Sequence, residues 1–464
     1  MSAIPDLSPD LGETAVPPMT QRRVLGLAVP IIGENLLQTA VGAIDTLLVG
    51  RIGAAAVAGV GIGFELSFFF IAILFAVSIG TTVLVAQAFG AKDPARAGML
   101  ARQAILWGVI LSIPVAIVGY FATPHLVGVF GADEAVTDYA TTYVQITLAT
   151  IVVLLLNYLT GGVFRGVGDG RTPLIAAIIA NVVHIALSWM LIGGEFGLPA
   201  WGVAGAAAGT AIGRGVGAAF LLVVLLRGRG PISIRGRGDW FPRVSVARDI
   251  FRLGGPGAIE QMTTQAGFIL LIAVVASLGT ATLAAQQIGF TAMSIGFLPG
   301  IAFSTTATAL VGQSIGARRA DHARDAFRIT IFWSLVWLTI GGLILAAFPA
   351  ATLRLFTDDE AVVAAGTLGM QVIALGLPLW ALLLVSSGAL RGSGDTRGPM
   401  IRGIIMVWSS TALSWIGVEF FDRDLGYVWA TFFLTGPVAI AFNIRAFRRR
   451  MHVKEAEFRL PADA

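Results

Sequence analysis

The chain has 464 residues, 56% of them hydrophobic and only 12% charged, which excludes a soluble globular protein. With no cysteine, disulfides, thiol nucleophiles and cysteine-ligated metals are excluded as well. His125, His184, His322 and His452 are scattered over separate regions, so neither a metal cluster nor the nucleophile–base pair of an intramembrane enzyme can be read.

In chain order, residues 1–20 are polar and proline-bearing, which predicts a disordered N-terminus with no cleavable signal. Twelve apolar runs follow, at roughly 24–49, 56–86, 98–122, 135–161, 173–193, 200–226, 249–275, 283–310, 325–347, 362–388, 400–420 and 426–444. Such runs match the ~20 residues a helix needs to cross a ~30 Å hydrocarbon core. They are continuous and do not alternate as barrel strands do, so the fold class is an all-α membrane protein with twelve transmembrane helices. The expected division is an N-lobe over 21–226, a linker over 227–248, a C-lobe over 249–445 and a basic tail over 446–464. The linker, with Arg227, Arg229, Arg235, Arg237 and Arg243, reads as a solvated segment beside anionic headgroups. Pro114, Pro299 and Pro378 fall inside spans and are placed to kink them.

All basic residues except Arg51, Arg214, Arg354 and Arg423 fall before the first span, after the last, or in every second loop. That asymmetry puts both termini in the cytoplasm and the protein in the cytoplasmic membrane as a multi-pass chain. It also accounts for the basic charge without nucleic acid.

The chain repeats itself. Arg165-Gly166-Val167-Gly168-Asp169-Gly170-Arg171-Thr172-Pro173 returns as Arg391-Gly392-Ser393-Gly394-Asp395-Thr396-Arg397-Gly398-Pro399, displaced by 226 positions. Pro30, Glu34, Gly53, Gln87 and Gly90 match Pro256, Glu260, Gly279, Gln313 and Gly316 at that displacement, and Ala186-Leu187-Ser188-Trp189 matches Ala412-Leu413-Ser414-Trp415. Six spans per unit make the two repeats parallel. The Arg-Gly-x-Gly-Asp loops read as tight turns at the cytoplasmic surface, with Thr172 as N-cap and Pro173 as first helical residue.

Ionisable groups at bilayer depth are costly and mark function by default. Glu34, Gln38 and Asp45 lie on one stripe of the first helix, since eleven residues are close to three turns. Glu34 is matched by Glu260, so a shared structural role competes with a coupling role for both. Asp45 corresponds to Leu271 and His184 to Ser410, an asymmetry that a symmetric scaffold does not need. Glu65 and Arg214 are further candidates, Arg214 as counter-ion to a buried carboxylate, and Asn157 reads as an interhelical hydrogen bond. The run from Gly202 to Gly209 is a helix-packing signal.

Together these features resemble the multidrug and toxic compound extrusion (MATE) family of antiporters. The resemblance rests on Ala43-Ile44-Asp45-Thr46-Leu47-Leu48-Val49-Gly50, Ala-Gln-x-x-Gly-Ala at 86–91, Leu283-Ala284-Ala285-Gln286-Gln287-Ile288 and the two Arg-Gly-x-Gly-Asp loops. It implies two six-helix bundles in a V around a central cavity. It also implies inward H⁺ or Na⁺ flow exchanged for outward export of small, cationic, amphipathic organic substrates. No cofactor beyond the coupling ion is expected, and the protein is expected to work as a monomer among membrane lipids.

By that resemblance the N-lobe ion site comprises Asp45, with His184 and Ser188 where the family has an Asn and an Asp, and Thr210. In the C-lobe, Thr264 and Trp380 stand at the family's acidic positions, leaving Glu260 as the remaining acid there. A Na⁺ at Asp45 would want several oxygen ligands, which the His184 and Ser188 replacements reduce, so H⁺ is the expected ion. Rival readings are a flippase for a lipid-linked oligosaccharide, which would want more cavity cations than Arg214 alone, and a channel.

Overall fold

The computed structural model describes residues 18–228, 232–235, 238 and 240–459. Its helices in the N-terminal half are α1 (Gln21–Gly50), α2 (Ala54–Gly90), α3 (Pro94–Gly128), α4 (Glu134–Ala149), α5 (Ile151–Gly166), α6 (Arg171–Gly193) and α7 (Val203–Arg227). Those of the C-terminal half are α8 (Val244–Ala276), α9 (Thr280–Gly316), α10 (Ala320–Ala347), α11 (Pro349–Arg354), α12 (Glu360–Gly392), α13 (Arg397–Phe421) and α14 (Leu425–Arg459).

Ten stretches are long and apolar enough to cross a membrane, and two bent pairs bring the number to twelve. The arms of α9 meet at 47°, just before Pro299, whose ring cannot donate to the carbonyl four residues back. Pro114 and Pro378 lie within α3 and α12, each a single span. α4 and α5 meet at 54° without any proline. Thr150 stands at this break, and its hydroxyl donates to Ile146 O at 2.8 Å, a back-bond of the kind that bends helices.

The repeat is visible in the contacts. Arg165 grips the Glu34 carboxylate at 3.1 and 3.3 Å, and Arg391 grips Glu260 at 2.9 Å to both oxygens. Gly168 and Gly394 both have φ +88°, the left-handed turn that glycine adopts without a steric cost. Gly170, rather than Thr172, is the N-cap of α6, and Asp169 beside it accepts the N–H groups of Arg171 and Thr172 on its Oδ1 at 2.9 and 3.0 Å. The helix therefore starts at Arg171, and Pro173 lies inside its first turn. Asp395 accepts the Gly398 N–H in the same manner at 2.9 Å.

The lobes join at the end where the chain enters and leaves, since Met19, Val24 and Leu27 share one core with Phe447 and Met451. Gln313 Nε2 donates to Gly166 O at 2.8 Å, and Gln87 Nε2 donates to Gly392 O at 3.2 Å. Arg23 adds a bond to Gln313 Oε1 at 2.8 Å, and Asn35 donates to Leu298 O at 3.3 Å. α2 and α9 cross at Gly90 and Gly316, where a Cβ on either would strike the carbonyl of Gln313 or Gln87. Apart from the mid-helix Asn35 bond, these interlobe bonds lie at this end.

At three places the described residues are more ordered than the expected division assumed. Of residues 1–20, only 18–20 are described; there Met19 is buried and Thr20 caps α1. The linker is docked rather than solvated where it is described. Ile232 and Ile234 are buried, Gln103 of α3 donates to Phe241 O at 2.7 Å, and the Arg243 N–H donates to Gln103 Oε1 at 2.8 Å. Trp107 donates to Arg243 O at 3.3 Å, and α8 begins at Val244 instead of 249. The tail is the continuation of α14 to Arg459, with Phe447 and Met451 buried and Arg450 Nε donating to Ser393 O at 3.1 Å.

Candidate coupling site

A glycine ladder builds the site. Gly205, Gly209, Gly213 and Gly217 recur every fourth residue on α7 and face Leu191, Ser188, His184 and Ala180 on α6. A Cβ on Gly213 would lie 2.6 Å from both Ala180 O and His184 Cβ, so only glycine permits this approach. The close packing brings His184, which is buried, to the Thr210 side chain and to α1.

His184 Nε2 lies 3.0 Å from Thr210 Oγ1 and 3.0 Å from Asp45 Oδ1. Thr210 has one hydroxyl proton, and the Ala206 carbonyl 2.9 Å away can only accept it. Nε2 accepts from the Thr210 hydroxyl in one imidazole tautomer and donates to it in the other. Asp45 Oδ1 is buried at ion-pair distance from the same nitrogen, yet accepts no aligned hydrogen bond among the described residues. A buried carboxylate oxygen with no donor is costly, and a proton or a cation on Asp45 relieves that cost. Ser188 enters through the shared carbonyl, its Oγ reaching Ala206 O at 3.5 Å. Tyr143 of α4 is within electrostatic reach of both Asp45 and Arg214.

The other expected residues separate from this cluster. Glu34 is held by Arg165, and Gln38 is exposed. Glu65 is exposed, and Glu260 is held by Arg391. Asn157 makes the interhelical bond expected of it, to Arg214 O at 3.1 Å. Among the described residues Arg214 does not pair with a carboxylate. In the C-lobe, Trp380 lies 5.5 Å from Phe297 and 5.9 Å from Phe432, ring centre to ring centre, inside an aromatic cluster. No group of three or more His, Asp or Glu side chains able to hold a metal ion occurs among the described residues. Sequence reading passed over Tyr143, which carries no repeat signal. It also passed over the locking role of Gln87 and Gln313, although their shared displacement was a signal.

The model of the family MatE matches residues 30–190 and again 256–416, each end displaced by 226 positions. This chain belongs to the MATE family. It is 31% identical over 419 residues to the probable multidrug resistance protein NorM of Thermotoga maritima, covering 89% of each chain. To the multidrug resistance protein NorM of Burkholderia vietnamiensis it is 28% identical, covering 85% of this chain and 87% of that one. An outward-facing MATE transporter structure matches 94% of this chain and 96% of its own with TM-score 0.87 at 21% identity. A MOP superfamily transporter from Pyrococcus furiosus, titled for the reversed polarity of its binding pocket, also reaches 0.87, at 22% identity, over 94% and 96% of the chains. As a MATE protein the chain is a membrane transporter and not an enzyme.

Proposed function

We propose that this MATE protein exports organic cations, multidrug substrates among them, across the cell membrane in exchange for protons, with Asp45 as the coupling carboxylate. The observation that carries this reading is the buried Asp45 Oδ1 facing His184 Nε2 without a hydrogen bond. Protonation lets Asp45 become a donor within the cluster, while ionisation leaves a negative charge for a cationic substrate. One carboxylate that holds either a proton or a cation makes the two compete, which is the requirement of antiport. The positive-inside distribution of arginines supports cytoplasmic termini, and the lock formed by Gln87 and Gln313 then closes the cytoplasmic side. The names of the NorM relatives support drugs as the substrate class.

Sodium is the second reading. Against it, the Ser188 and Thr210 hydroxyls both reach Ala206 O, and His184 occupies the space beside Asp45 that further oxygen ligands would need. A flippase of a lipid-linked oligosaccharide would want several cavity cations, and among the described residues Arg214 is the arginine placed mid-span. The deciding experiment is uptake of a fluorescent organic cation into inverted membrane vesicles under separate H⁺ and Na⁺ gradients. Uptake driven by the pH gradient at zero Na⁺ is expected. Uptake driven only by Na⁺ at fixed pH would overturn the proton assignment.

A further inference from the structure

The last two helices present a charged face that nothing inside the protein answers. α13 and α14 run antiparallel, and two bonds fix their register. Arg402 Nε donates to Asn443 Oδ1, and Arg450 Nε donates to Ser393 O at 3.1 Å. That register sets Arg397 of α13 level with Arg445, Arg448 and Arg449 of α14. The three α14 arginines share one face, being three and four residues apart. All four side chains are exposed, and none has a hydrogen-bond or ion-pair partner among the described residues. The acids nearest in sequence are engaged elsewhere: Asp395 accepts the Gly398 N–H, Glu455 pairs with Arg324 and Arg459, and Glu457 pairs with Lys454.

One turn deeper the same faces become apolar. Ile401 and Ile405 continue the Arg397 face of α13, and Val438 and Phe442 continue the Arg445 face of α14. Each of the four is more than half exposed. A cationic band above an apolar band has the polarity of a phospholipid, with phosphate at the head and acyl chains below. Arginines that only set topology need no such alignment on two neighbouring helices. The N-lobe has no equivalent band. There α7 ends at Arg227, its last two turns expose Val223 and Leu226, and the chain turns away into the docked linker.

We infer that the outer face of α13 and α14 binds an anionic phospholipid. Arg397 and the α14 arginines hold its phosphate, and its acyl chains lie along Ile401, Ile405, Val438 and Phe442. Guanidinium groups suit this task because their planar fork meets phosphate oxygens in pairs. In the orientation proposed above, the surface faces the cytoplasmic leaflet, where anionic lipids gather juxtamembrane basic residues. It lies on the far lobe from Asp45, so it is separate from ion coupling.

The test titrates the full-length protein in neutral detergent with phosphatidylglycerol or phosphatidylcholine of identical chains, and counts bound lipid by native mass spectrometry. Wild type should bind the anionic lipid more tightly. The combined variant Arg445→Gln, Arg448→Gln and Arg449→Gln should weaken that binding by about fivefold for each arginine removed and leave phosphatidylcholine unchanged. The corresponding triple lysine variant, which keeps the charge, should retain most of the preference and guards against misfolding of the glutamine variant. Arg171→Gln, at the N-lobe position matching Arg397, should change nothing. Equal binding of the two lipids by wild type, or undiminished phosphatidylglycerol binding in the glutamine variant, would overturn the inference. So would competition by glycerol phosphate at the same concentration as the lipid, which would mark a site for free anions.

Discussion

The two lobes share a frame and differ in what the frame holds. Each carries the Glu–Arg clasp, the aspartate-braced loop with its left-handed glycine, and a glutamine that locks onto the other lobe's loop. Where the N-lobe places Asp45 and His184, the C-lobe has fully buried Leu271 and Ser410, the latter hydrogen-bonded to Thr431. Where Thr210 and Arg214 line a polar pocket, the C-lobe has an aromatic one, lined by Trp380, Trp429 and Phe432. On the proposed function, what recurs is scaffold and what does not recur is chemistry. The duplication acts as an internal control: Glu34 and Glu260 belong to the first class, Asp45 to the second.

The most severe way to break this contrast is Asp45→Asn, which should reduce gradient-driven export to background while preserving abundance, measured as initial uptake in inverted vesicles. Leu271→Asn, at the equivalent C-lobe position, should leave coupling in place and lower stability instead. The clasps come next. Glu34→Gln and Glu260→Gln each leave an arginine half-buried and unpaired, and each should cost about 3 kcal/mol of stability by thermal or denaturant unfolding. Near-equal losses would support a shared structural role, whereas loss of coupling in Glu34→Gln alone would move Glu34 into the site. Gly213→Ala should cost roughly 1–3 kcal/mol by overpacking α6 against α7, and it should weaken coupling because it displaces His184. The smallest effect belongs to the lock. Gln87→Ala or Gln313→Ala should cost about 1 kcal/mol each, seen as a roughly fivefold shift toward opening of the basic end in double electron–electron resonance distances.

The twelve spans and the duplication were legible because a bilayer forces long apolar runs and a duplication preserves its spacing. The Glu34–Arg165 clasp was not, since pairing across 131 residues leaves no local trace, although each partner was marked by its repeat. Thr172 and Asp169 are both good capping residues, and only the left-handed turn at Gly168 brings the aspartate to the first amides of α6. The linker misled because its arginines outnumber Ile232 and Ile234, which carry its docking. The end of α14 misled because apolarity stops near 444 while Asn443, Phe447 and Met451 continue one buried face at fourth-residue spacing. Within the site, Asp45 and His184 stood out as breaks in the symmetry. Their 3.0 Å approach depended on the glycine ladder, whose sequence signal says that helices meet but not which side chains result.

The central claim is that the N-lobe carboxylate alone exchanges a proton for substrate. Its most direct test is proton release on substrate binding, followed by a pH indicator in weakly buffered detergent solution. Addition of an organic cation at a pH where Asp45 is protonated should release about one proton per bound molecule in wild type and in Glu260→Gln, and none in Asp45→Asn. Undiminished release from Asp45→Asn, or its disappearance in Glu260→Gln, would contradict the account.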